Sequence, residues 1–89
     1  MTEIELDGLE TMEEVQDRFA RALDLPEYYG RNLDGLYDLL TEREGPTRIV
    51  IRHGDTLLSW LGDYGQALVQ TLLDADKVNP GLEVLFDKE

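Results

Sequence analysis

Apolar and polar residues alternate in Glu3-Ile4-Glu5-Leu6 and then meet Asp7-Gly8. A period of two ending in a turn dipeptide predicts a short strand over Glu3–Leu6. The period then changes. Thr11 and Glu14 have the spacing of a capping box, and Met12, Val15, Phe19, Ala22 and Leu23 recur as one face of a helix. Leu25 precedes Pro26, whose ring disfavours helical backbone at the residue before it, so this helix ends at about that point. Asn32 is a candidate cap for a second helix from Leu33 to about Glu42, stopped by Gly45-Pro46. The β-branched run Thr47–Arg52 predicts a buried strand closed by Gly54 and Asp55. A short helix over TLLSWL, broken at Gly62, and a longer one from Tyr64 to about Asp76 follow, the latter carrying Leu68, Leu72 and Ala75 at helical spacing. Asn79-Pro80-Gly81 then turns the chain into a last strand, LEVLF.

The predicted order is βααβααβ. Strands separated by helical crossovers run parallel, so the expected fold class is α/β, a three-stranded parallel sheet packed with four helices. Length agrees: 89 residues suffice for one compact core and are too few for two.

Charge and chemistry narrow the function. Twenty acids against eight Lys and Arg leave a formal charge of -12, which repels nucleic-acid phosphates and attracts basic proteins. Acidity of this kind also keeps a small protein soluble, so charge alone names no partner. The absence of cysteine excludes disulfides, thiolate nucleophiles and Cys-based zinc sites. His53 is the one histidine, with no serine, cysteine or second ligand near it in sequence, and reads as a turn residue. Trp60, beside Leu57, Leu58 and Leu61, reads as partly covered packing, and Arg48 and Arg52 are too few for a nucleic-acid stripe. The acidic N-terminus lacks the pattern of a secretory signal, and no apolar run approaches the length of a membrane span, so a soluble cytoplasmic protein is expected.

The most informative stretch is LPEYYGRNLDGLYDLLT, Leu25 to Thr41. On a helix starting at Leu33, the residues Leu36 and Leu40 share its apolar stripe, while Thr41, Asp34 and Asp38 fall at about 80°, 100° and 140° from Leu33. Tyr37 stands on the border between these faces. One polar face therefore carries two carboxylates one turn apart, a mildly repulsive arrangement in the free helix. Asp34 sits in the first turn, where the helix dipole favours an anion. Before the helix, Tyr28 and Tyr29 are set among Pro26, Gly30 and Asn32, a surface-loop composition, and core packing accounts for at most one of the two rings. Exposed tyrosine is enriched where partners bind most tightly. A solvated helix face is the bland alternative. A hydrolase using Asp34 and Asp38 needs one carboxyl desolvated, which such a face does not provide, and no calcium-loop spacing is present. No cofactor or metal is expected.

These residues resemble the barstar family, intracellular inhibitors of secreted microbial ribonucleases, and the resemblance runs the length of the chain. It implies one barstar-like domain over residues 1–89, monomeric when free, that blocks a basic ribonuclease in a 1:1 complex. By the same resemblance, Asp38 fills the position of a substrate phosphate and Asp34 faces an arginine. Tyr28 packs on the catalytic histidine, with Tyr29 beside it; Gly30 and Asn32 shape the loop, Thr41 adds a polar contact, and Asp74 aligns with a peripheral acid. Tyr37 and Arg43 stand where the family's prototype has tryptophans, Gly35 replaces an alanine, and Leu39 replaces a cysteine. Arg43 is the sharpest departure, since a cation facing a basic enzyme costs affinity unless the target offers it an acid or an aromatic face, which leaves open the alternative of a barstar-like binding module for another basic protein.

Overall fold

The computed structural model describes residues 1–25, 30 and 32–87. Within these the chain forms β1 (Thr2–Leu6), α1 (Met12–Leu23), α2 (Leu33–Glu42), β2 (Thr47–Arg52), α3 (Gly54–Leu61), α4 (Asp63–Val78) and β3 (Leu82–Asp87). The strands lie in the order β1-β2-β3, each pair parallel, in register Ile4↔Ile49↔Val84. The expected α/β class, element order and parallel sheet are all present.

The sheet is one-sided. Ile4, Leu6, Ile49, Ile51, Leu82 and Val84 point into a core shared with Val15, Phe19, Leu36, Leu40, Leu68 and Leu72 from the helices. The opposite face is wet. There, Arg48 pairs with Glu3 at 3.6 Å and with Glu83 at 2.8 Å, and Arg52 pairs with Glu5 at 3.3 Å and with Asp87. Parallel sheets normally hide both faces and read as continuous apolar runs; this one alternates because the outer face is an acid–arginine–acid ladder. Hydrogen bonding to Glu5 raises the affinity of the Arg52 guanidinium for its proton. Exposed pairs of this kind add little stability each. Their clearer effect is to consume two arginines on the face away from the helices.

Four expectations are corrected. Gly54 and Asp55 open α3 instead of closing β2: His53 takes left-handed backbone (φ 51°) and its carbonyl accepts the Leu57 N–H at 3.0 Å, so the helix begins two residues before Thr56. Asp55 then lies in the first turn, where the dipole favours it. Met12 is 57% exposed and Ala22 is also exposed, although both lie on the apolar side of α1. Met12 is the first residue of the helix; the buried stripe is Val15, Gln16, Phe19 and Leu23, and Ala22 falls just outside it. Glu14 caps differently from a standard box: the Thr11 hydroxyl accepts the Glu14 N–H at 3.2 Å, but the Glu14 carboxylate reaches the N–H of Glu10. Finally, α4 runs from Asp63 to Val78, longer at both ends than its apolar repeat indicates.

Between α3 and α4 the backbones approach closely. A Cβ on Gly65 would stand 3.0 Å from the Leu61 Cβ and 3.4 Å from the Leu58 Cα, so any side chain there pushes the two helices apart.

Candidate functional site

α2 has the bounds that its sequence indicates, for a visible reason. The Asn32 Oδ1 accepts the Gly35 N–H at 2.7 Å, satisfying one of the unpaired donors of the first turn, while its Nδ2 donates to the Gly30 carbonyl at 3.2 Å. One side chain thus ties the preceding loop to the helix start. A Cβ on Gly30 would lie 2.7 Å from that amide and displace it. Tyr28 and Tyr29 fall outside the described residues.

Along α2, Leu36 and Leu40 are fully buried, and Leu33, Tyr37 and Leu39 pack partly against the core. Asp34 and Asp38 are exposed on the polar face, and among the described residues neither side chain has a hydrogen-bond or ion-pair partner. Thr41 is half-buried, its hydroxyl donating to the Asp38 carbonyl of its own helix at 3.1 Å. Glu42 is exposed as well, so Asp34, Asp38 and Glu42 form one row at i, i+4, i+8. Glu42 was absent from the expected contact set, although its four-residue spacing from Asp38 was already visible in the chain. Asp74 stands on α4, against which α2 packs, and accepts from the Gln70 Nε2 at 2.9 Å.

Arg43 is placed differently from the acids. Its Nε donates to the Thr47 hydroxyl at 2.9 Å and its guanidinium also donates to the Thr2 hydroxyl at 3.0 Å. The cation is turned to the amino ends of β1 and β2. Its planar fork is thus held by two internal hydroxyls, which fix where the charge is directed without neutralising it.

Partly apolar grooves lie at both ends of the acid row. Met12, Gln16, Leu33 and Tyr64 line one beside Asn32; Leu23, Leu25 and Leu39 line the other beside Glu42. Exposed Met12 thus borders the site. Tyr64 accepts from the Gln16 Nε2 at 2.8 Å, and burial raises its phenol above the usual range.

His53 belongs to another cluster. Its Nδ1 lies 3.0 Å from the Asp7 Oδ1 at the carboxyl ends of β1 and β2, and that hydrogen bond holds Asp7 below the usual carboxylate range. A carboxyl with a depressed folded value stabilises the fold at pH above its unfolded value, and the contribution is lost as pH falls through the folded value. Asp7→Asn should therefore lower stability slightly at neutral pH, leave it unchanged at pH below the folded value, and so flatten the acid limb of a pH–stability curve. Circular dichroism at graded pH reads this directly.

The geometry puts two unpaired carboxylates, a half-buried tyrosine and apolar ledges on one exposed surface. Comparison with known proteins shows the family to which the chain belongs. The family model described as "Barstar (barnase inhibitor)" matches residues 1–86. The chain belongs to the barstar family. Among curated relatives, the Bacillus subtilis (strain 168) protein named "Putative ribonuclease inhibitor YrdF" is 34% identical to it, over 86% of this chain and 88% of the relative. The barstar-family match covers all four helices, β1, β2 and all but the last residue of β3, and so includes α2 and its acid row.

Proposed function

We propose that this chain inhibits a basic secreted microbial ribonuclease of the barnase kind by seating α2 and the loop before it in the enzyme's active-site cleft. Family membership and the name of its Bacillus relative support the reading. The observation that carries it is that Asp34 and Asp38 stand exposed on one face of α2 with no partner among the described residues, in contrast to the outer sheet face, where acids are paired to arginine. A cleft built for RNA phosphates presents arginine, lysine or protonated histidine, and carboxylates fixed on a helix meet these with charge-assisted hydrogen bonds. Asp38 takes the phosphate position, Asp34 meets an arginine, and Tyr28, Tyr29, Tyr37 and Thr41 supply contact around them. Gly30 and Asn32 hold the loop, and Asp74 with Glu42 adds charge at the edge.

Exposure argues against a hydrolase at the same residues, since neither carboxyl is withdrawn from water as a general acid must be. An inhibitor of this kind protects the cytoplasm of a cell that makes the nuclease. Among the described residues no helix is long and apolar enough to cross a membrane.

Titration of barnase activity on an RNA substrate tests the reading. The expected result is a linear loss of activity ending at one inhibitor per enzyme. Because charge steers the encounter, the association rate should fall by at least about tenfold between low and molar salt. Activity that survives excess inhibitor, or association indifferent to salt, would contradict it.

A further inference from the structure

The acid row is useful to an inhibitor only if its spacing survives in solution, and a ten-residue helix is marginal by itself. The last carbonyls of a helix have no partner within it. In α2 two of the carbonyls at this end are taken by a residue 36 and 39 positions downstream: the Asn79 Nδ2 donates to the Leu40 carbonyl at 2.7 Å and to the Arg43 carbonyl at 3.0 Å. The rest of Asn79 is equally engaged. Its main-chain N–H closes α4 on the Ala75 carbonyl at 2.9 Å, its Oδ1 accepts the Gly81 N–H at 2.9 Å, and its own carbonyl accepts the Leu82 N–H at 3.0 Å. Arg43 completes the arrangement through Thr2 and Thr47, the first residues of β1 and β2. The Gly81 carbonyl in turn accepts the Thr47 N–H at 2.8 Å. Gly81 cannot carry a side chain without crowding, since a Cβ would lie 3.2 Å from the Gly45 carbonyl and 3.3 Å from the Asn79 Oδ1.

We infer that Asn79 and Arg43 are positioning residues for the acidic helix: together they clamp the carboxyl end of α2 to the amino ends of all three strands and so fix the line on which Asp34 and Asp38 are presented. The consequence for binding rests on the inhibitory role proposed above; the clamp itself does not. An unclamped helix would have to be ordered in the complex, and that ordering cost appears as weaker binding. This assigns Arg43 to support of the site, where the resemblance alone suggested a contact with the partner.

Amide hydrogen exchange on Asn79→Ala, and on Arg43→Met, separates clamping from general stabilisation. Local opening should lower protection in the second half of α2 by about tenfold more than in β2, whereas a residue that only adds to global stability lowers all protected amides together. Uniform loss, or unchanged protection in α2, would overturn the proposal. Arg43→Met serves where Asn79→Ala fails to fold, since it leaves the Asn79 bonds in place. In a second arm, barnase inhibition is measured for Asn79→Ala, Asp38→Ala and the double variant. A clamp acting through the acids predicts that Asn79→Ala weakens binding by about tenfold in the parent and by much less once Asp38 is gone, whereas independent effects add and would refute it. If Asp38→Ala itself leaves inhibition intact, the inhibitory role fails while hydrogen exchange still decides the clamp.

Discussion

Asp38→Ala should weaken barnase inhibition by about 2–5 kcal/mol, a range to which measurements on the prototype pair of this family contribute, while leaving the fold intact. That is roughly thirty- to several-thousand-fold in the dissociation constant. Two features of the structure combine to give this expectation. Asp38 is exposed and has no partner among the described residues, so its removal costs the free protein little, within about 0.5 kcal/mol. In the complex the cost falls on the enzyme, whose buried cations lose their counter-charge. Inhibition constants and urea midpoints measured side by side should therefore separate, with a large change in the first and almost none in the second. A parallel fall in both would mean that Asp38 supports the fold.

Phe19→Ala should have the converse effect. Phe19 is the largest of the fully buried side chains, packed where α1 meets the sheet. Its truncation leaves a cavity that neighbouring leucines only partly fill, and the expected loss is about 3–5 kcal/mol of unfolding free energy. Domains of this size are stable by about 5–15 kcal/mol, so the variant is close to the limit of folding at ambient temperature. Urea denaturation followed by tryptophan fluorescence and circular dichroism gives the value. The fraction that remains folded should inhibit as tightly as the parent, because α2 and its acids are untouched. A loss below about 1 kcal/mol would show that the site collapses far better than a close-packed core allows.

Most of the scaffold could be read from the chain because its signals are local. Asn32, the Leu33–Leu36–Leu40 stripe and Gly45-Pro46 define α2 within a few residues, and the bounds of β2 follow from its β-branched run. What escaped the reading depends on distance along or across the chain. Met12 has the right angular position on α1 but opens its first turn, and Ala22 lies at the rim of the stripe buried as Val15, Gln16, Phe19 and Leu23; how far a stripe is covered is set by what packs on it, which periodicity does not encode. His53 starts α3 through left-handed backbone, an uncommon state for a residue with a side chain. Arg43 read as a cation beside the contact face because its acceptors, Thr2 and Thr47, come together with it only once the sheet has formed. Asn79 read as part of a turn, which it is, while its side chain reaches the end of a helix formed some forty residues earlier. The acids of α2 were legible as a face; that Asp34 and Asp38 have no partner among the described residues while the sheet's acids pair with Arg48 and Arg52 required the fold.

The most direct test of the central claim is a nitrogen-15 chemical-shift map of the labelled chain titrated with catalytically inactive barnase. Charge mimicry by α2 predicts that the largest changes fall on Asn32, Asp34, Tyr37, Asp38 and Thr41, with Glu3, Val50, Arg52 and Leu85 on the outer sheet face unmoved. Changes centred on that sheet face, with α2 silent, would contradict it.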